Sequence, residues 1–597
     1  MIVIKHKQGL NRQEWDDAVG RAAIDGRVSF AVAALVAAVA VLALLDRIGA
    51  PERLVASLSP ALAIVGLAII GFMLRSMRLS GFHAAGRATP GVYAGLAMAA
   101  LGAGLAAPFA PSGLGNASLS SLLTGFGAGM SVAGLFVGPL LRKTGAFSIA
   151  DLIATRFPSL TLSAGVTLAI TAIGLCLGLA GLAMAQAAIA QATGLGPQLS
   201  LILAASIVGL AVIPGGMAGL VWSAAGAAGL LIAGLAAPLA LMIASGASMP
   251  LPLPGDSSFE KAMAQMAQWG GANAPEGVDP MLACAIALGL CALPPLLAPM
   301  MTTPRRREAR SGGLTGIVWC FLLALMALMG AAASTLALQS TMTGLHLADM
   351  PPFLLEASGW GLISICKAHP ANLTQAREAC GLLPDFGGTL RASDITATGE
   401  FLLSALPNLS GFGAAFSGLA LAARMAMAIA LSAAGFMALA TARGDRAFYQ
   451  TQKSPTLTSR RLALTRLILL GVIIGAAWHQ FNAETDPQLL IGAALGVSAV
   501  AIAPLLVLSL WPRAEGQDGA VALVVGLAMA ELILLMSGDA LTVDVLARAG
   551  TIGFISAIAA GVTASLRHST EPVSDGAAFL NGLLNGTDDI LHPDTDA

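Results

Sequence analysis

Residues 408–441 read NLSGFGAAFSGLALAARMAMAIALSAAGFMALAT, and Arg424 is the single charged residue in the run. As a helix this stretch would be about 50 Å long at roughly 1.5 Å per residue, more than a bilayer's hydrocarbon core of about 30 Å. Nothing in it offers water a polar face. Thirteen further apolar runs occupy residues 28–45, 57–74, 89–110, 120–140, 162–190, 199–213, 221–245, 280–299, 312–337, 460–479, 487–510, 519–537 and 549–566. Across all 597 residues, 56% are hydrophobic and only 11% charged, and the mean hydropathy is +0.81. Soluble chains carry about 25% charge. Irregular backbone cannot face lipid, so each run must cross as a helix. The chain is therefore predicted to be an all-α polytopic membrane protein of about 14 transmembrane helices.

Charge orients the predicted helices, because cytoplasmic loops are enriched in Lys and Arg. With the N-terminus inside, 22 of the 31 Lys and Arg fall on one side and 7 on the other, while Arg424 and Arg466 lie within helices. An even helix count with both termini in the cytoplasm fits that split, and the compartment expected is a bacterial inner membrane. The organisation predicted is a cytoplasmic leader at 1–27, an additional helix and loop at 28–56, a transmembrane domain at 57–566 and an acidic tail at 567–597. Two large outside loops, 246–279 and 338–407, read as caps over the bundle. The second holds Cys366 and Cys380. In an oxidising periplasm they would form a disulfide; otherwise they are two unpaired thiols.

Composition and motifs exclude several functions. Near-zero net charge without a basic cluster argues against nucleic acid. There is no nucleophile elbow, phosphate-binding loop or metal-binding His pair, so no enzyme class or resident cofactor is indicated. All seven histidines fall in loops or at helix ends, where they cannot hold a haem inside a bundle. A proton-pumping subunit would bury several ionisable residues at mid-membrane. Here the candidates reduce to Arg424, with Glu531 and Arg466 nearer helix ends. Arg424 either attracts an anionic solute or is a packing arginine satisfied by a carbonyl or by water.

Glycine is abundant within the runs, as at Gly95, Gly102 and Gly104, Gly125, Gly127 and Gly129, and Gly226, Gly229 and Gly234. Small residues let helices approach closely in lipid. They also mark the unwound helices by which transporters bind substrate and ions. Segment 89–110 has three glycines and Pro108, and segment 280–299 has Pro294 and Pro295. The two segments start five helices apart, the spacing an inverted repeat of five requires.

Local strings carry a resemblance. Residues 80–90, SGFHAAGRATP, lead into Gly95-Leu96-Ala97. The string GPLLRKTG at 138–145 is followed by Ile149-Ala150-Asp151 and Ala154-Thr155-Arg156-Phe157. Then come GGMAGLVWS at 215–223, the segment 416–449 with Leu431 to Gly435, and PLLVLSLW at 504–511. In this order they resemble the sodium:solute symporter family, above all its cation/acetate symporter branch, across roughly residues 57–566. The resemblance implies a five-plus-five inverted-repeat fold and alternating access. It also implies a sodium ion as coupling ion, and a small two-helix membrane subunit as partner.

On this reading Arg424, with Ala97 and Gly102, would meet the solute, expected to be a small monocarboxylate such as acetate. Ala97, Ala100, Ser432 and Thr441 would supply the coupling-ion site. The chain departs from the family here, with Ala94, Leu101, Gly102 and Gly104 where the first core helix usually carries Asn, Asp and Ser. In the neighbourhood of the family's ion-binding hydroxyls on the eighth core helix, this chain has Phe436, Met437 and Ala438, with Thr441 further along and only Ser432 upstream. These departures motivate a rival reading: a symporter-like subunit that has lost transport and acts as membrane scaffold or sensor in a larger complex.

Overall fold

The computed structural model describes residues 12–77, 79–109, 119–246, 249–253, 255–269, 278–382, 386, 388–391, 394–444, 458–483, 485–538, 541–568, 579 and 581–583. Residues 1–11 of the leader, Pro254, Asp385, the stretch 445–449 and the acidic end of the tail lie outside them. The principal helices are α1 (Arg12–Arg47), α2 (Glu52–Met73), α3 (Gly91–Ala106), α4 (Leu119–Val132), α5 (Leu160–Thr193), α6 (Pro197–Val212), α7 (Met217–Ala244), α8 (Pro280–Cys291), α9 (Pro294–Met301), α10 (Arg306–Met342), α11 (Gly399–Leu409), α12 (Ala414–Gly444), α13 (Thr458–Asn482), α14 (Pro487–Val497), α15 (Gly516–Met536) and α16 (Val543–His568). Two short helices prolong spans: Gly138–Thr144 continues α4 through a π turn at Ala133–Val137, and Ala503–Ser509 continues α14 through one at Ser498–Ile502.

Thirteen spans among the described residues are long and apolar enough to cross a membrane. The fourteenth expected segment is α6, an apolar helix of 16 residues. The protein is thus an all-α polytopic membrane protein. The boundaries differ most at 408–441. That run is not one helix, because α11 ends at Leu409 and α12 starts at Ala414, and Gly411 and Gly413 between them take φ values of +69° and +92° that side chains disfavour. The span expected at 312–337 extends to Arg306–Met342.

α12 is the centre of the bundle: its entire apolar window is buried. It packs along α5 through backbone proximity. A Cβ on Gly435 would come within 2.5 Å of Gly178 N and 2.7 Å of Gly174 O, so only glycine fits. Gly95 meets α10, Gly125 and Gly129 meet α8, and Gly234 meets Ala423 of α12, whereas a Cβ on Gly229 would meet nothing within 4 Å. Two helices start with an Asp–Pro pair. Asp279 caps α8 by accepting from Met281 N at 2.9 Å, and Asp486 caps α14 by accepting from Gln488 N at 2.9 Å.

Over one end of the bundle sits a cap with its own apolar core. It includes Ala262 and Met266 of the helix Ser257–Trp269, the last turns of α10, and residues of the segment 345–405. Strands β1 (Ile363–Ile365) and β2 (Ile395–Ala397) pair antiparallel, with Ser364 opposite Thr396. Cys366 and Cys380 are joined by a disulfide with Cα atoms 5.1 Å apart. At the start of the Ser257–Trp269 helix, backbone N–H groups of Leu251, Ser258 and Phe259 donate to Asp256 and hold its carboxyl below the usual range.

Candidate functional site

The position of a solute site in such a bundle depends on where helices stop being regular. α8 does so. After Cys291, Ala292 and Leu293 leave helical geometry, Leu293 with φ −70° and ψ 113°, and α9 begins at Pro294. Proline lacks an N–H and disfavours helix in the residue before it, so Pro294 and Pro295 dictate the break. The expected counterpart in α3 is absent. α3 runs as unbroken α-helix from Gly91 to Ala106 and tightens into a 3₁₀ turn only at Ala107–Phe109, where Pro108 falls. The three glycines leave the helix intact and are used for packing.

The residues expected at the coupling-ion site lie as follows. Ala97 and Ala100 are fully buried within regular helix, where carbonyl oxygens accept helical hydrogen bonds. Ser432 Oγ donates to Gly178 O at 2.9 Å, across the α5–α12 contact. Thr441 Oγ1 donates to Ala438 O of its own helix at 2.9 Å, and lines a separate cavity of about 320 Å³ beside Ser148, Met217 and Pro294. Ser432 and Thr441 are nine residues apart on one helix, roughly 13 Å. Sodium takes about five or six hard oxygen ligands. These four residues do not gather into such a set.

Arg424 and Gly102, by contrast, are brought together. Both line a cavity of about 1130 Å³ bounded by α3, α4, α7, α10, α11 and α12. Ala97 is not among its walls. Arg424 is 8% exposed, and its Nη1 donates to Gln191 Oε1 of α5 at 2.9 Å and to Ser404 Oγ of α11 at 3.1 Å. Two elements thus aim the guanidinium: the core helix α5, and α11, which follows directly on the cap. The remaining walls are aliphatic or aromatic, including Phe109, Phe126, Leu231 and Leu323, apart from the Cys320 thiol. A cation held in apolar surroundings attracts an anion far more strongly than one in water.

Gln191, Ser404 and Cys320 are absent from the sequence expectations. Gln191 had a signal, being one of two glutamines with Gln186 in the 34-residue apolar helix α5. Ser404 had none, since only the fold carries α11 back to α12.

Other buried or half-buried cations have structural roles. Arg142 donates from Nε to Thr303 O and from Nη2 to Pro304 O, both at 2.6 Å, and pins the chain after α9. Arg156 donates to Ser509 O at 3.2 Å and Trp511 O at 3.1 Å. Arg466 donates to Ile213 O and Pro214 O, each at 3.1 Å, and lies over the Phe82 ring. Three of the strings that carry the resemblance thus supply cations or their partners, which tie helix ends together.

The sodium:solute symporter family matches residues 82–345. An uncharacterized symporter of Cupriavidus necator is 24% identical over 258 residues, which are 43% of this chain and 36% of that protein, so the chain spans about a third of that relative's length. Among solved structures, a Na+-coupled sialic acid symporter in its substrate-bound outward-open state superposes with a TM-score of 0.62 at 13% identity, over 87% of this chain and 99% of that one. The chain is thus similar in sequence to the sodium:solute symporter family over residues 82–345, and similar in fold to a Na+-coupled sialic acid symporter over most of its length.

Proposed function

We propose that the protein is a secondary active transporter of a small organic anion, a monocarboxylate of which acetate is the simplest member. It would be driven by sodium or protons through alternating access in a bacterial inner membrane, with both termini cytoplasmic. One observation carries the solute class: among the described residues, Arg424 is the sole charged one lining a cavity between membrane spans that is otherwise almost wholly apolar. A guanidinium there is costly to bury and pairs naturally with a carboxylate. The coupling ion rests on the likeness to the symporter family. The test is reconstitution in liposomes and uptake of radiolabelled monocarboxylates, beginning with acetate, under an inward sodium gradient against an equal potassium control. Accumulation of at least one acid that collapses with the gradient is expected. No accumulation of any of them by folded protein, under sodium or proton gradients, would overturn the proposal.

A second reading has its own observation. The unbroken α3, with Ala97 and Ala100 enclosed in regular helix, is the feature expected of a symporter-like subunit that no longer transports. Such a subunit would serve as scaffold or sensor. Co-purification with a small two-helix membrane subunit that restores uptake would favour the transporter. A stable complex with respiratory or signalling proteins, without uptake, would favour the scaffold.

A further inference from the structure

We infer that the acid held by Arg424 is an amphiphile with an unbranched aliphatic tail of medium length, and that it reaches the site sideways from the bilayer. This rests on reading the Arg424 cavity as the solute site. The first ground is chemical. Among the described residues, no wall side chain apart from Arg424 and the Cys320 thiol offers a hydrogen bond, so a sugar acid or a polyol would lose hydroxyl partners on entering. Only the carboxylate end of a ligand is provided for. The second is dimensional. α10 lines the cavity from Cys320 to Leu328, eight residue steps or about 12 Å of helix, a reach that an extended acid of roughly six to ten carbons fills and acetate does not.

The third ground is access. Leu123 of α4 lines the cavity and is 46% exposed, and Ala324 of α10 lines it and is also exposed. Both belong to spans apolar enough to cross a membrane, and entry between α4 and α10 is the lateral route inferred. An aliphatic tail lies in that phase already, and its carboxylate gains a partner only on meeting Arg424. Each methylene taken from water into an apolar wall adds about four-fold in affinity until the cavity is full.

The test is equilibrium binding of radiolabelled octanoate to the purified full chain, with unlabelled acids from acetate to dodecanoate as competitors. Potency should rise about four-fold per methylene, level off between six and ten carbons, and fall at least ten-fold in Arg424→Met. Ala327→Trp, which fills part of the cavity, should weaken octanoate at least ten-fold. With Cys176, Cys284 and Cys291 replaced by alanine, octanoate should slow alkylation of Cys320 by a lipid-permeant maleimide. Equal potency of acetate and octanoate would overturn the tail proposal and leave a carboxylate site standing. Saturable octanoate binding unaffected by Arg424→Met and Ala327→Trp would place the acid elsewhere and overturn it too. Displacement by phosphatidylglycerol but by no free acid would identify a lipid site and overturn it as well. Octanoate binding without uptake would support this inference while removing the transport proposal, and acetate uptake without octanoate binding would do the reverse.

Discussion

Arg424 on α12 donates to Gln191 Oε1 on α5 across 2.9 Å, so the cavity's cation is held by the same helix pair whose glycine contacts form the centre of the bundle. A buried guanidinium deprived of an acceptor costs about 1–3 kcal/mol. Gln191→Leu is expected to lower the thermal unfolding midpoint of the purified protein and to weaken carboxylate affinity several-fold. Gln191→Glu should weaken affinity further, because it neutralises the attraction while preserving fold. Uptake kinetics alongside melting curves separate the two effects.

Ser432→Ala is expected to leave the sodium dependence of uptake unchanged. Its hydroxyl bridges α12 to Gly178 O, a helix-to-helix bond worth about 1 kcal/mol or less in a membrane. A rightward shift of the sodium activation curve by ten-fold or more would restore Ser432 as an ion ligand.

Glycine tolerance should follow the local space. Gly435→Ala forces a methyl into the α5 backbone and should destabilise by more than 2 kcal/mol, read as a lowered melting midpoint or loss of monodisperse protein. Gly229→Ala meets nothing and should be neutral or slightly stabilising, since alanine is the better helix former by about 1 kcal/mol.

The cap should depend on Cys366–Cys380. The bridge spans 14 positions, a loop whose closure is worth roughly 3 kcal/mol. Cys366→Ala with Cys380→Ala should raise deuterium exchange in β1, β2 and the helix Leu373–Gly381 while leaving α5 and α12 protected. Unchanged exchange in the cap would show that its apolar core suffices.

Sequence legibility followed the physics of each feature. Hydropathy over long windows located the spans, because burial in lipid acts on every residue of a run, and the Pro294–Pro295 pair marked the α8–α9 break, because proline acts locally. Gly95, Gly102 and Gly104 did not mark a break in α3, since glycine permits unwinding and close packing alike, and which one occurs depends on α10 and α12 lying against it. Arg424 stood out as the lone charge in its run. Its pairing with them did not, because Gln191 is 233 positions away and Ser404 reaches it by a turn through Gly411 and Gly413 that hydropathy reads as continuous helix. The same limit applies to the ion-site expectation: Ala97, Ala100, Ser432 and Thr441 come from two helices, and only packing decides whether they meet.

The most direct measurement compares wild type with Arg424→Met in the same liposomes, using gradient-driven uptake of a labelled monocarboxylate and equal amounts of protein with matching melting curves. Loss of at least ten-fold in kcat/KM, with partial recovery in Arg424→Lys, is the result expected if the α12 guanidinium receives the anion. Uptake with unchanged apparent affinity in Arg424→Met would remove the cavity from the solute's path.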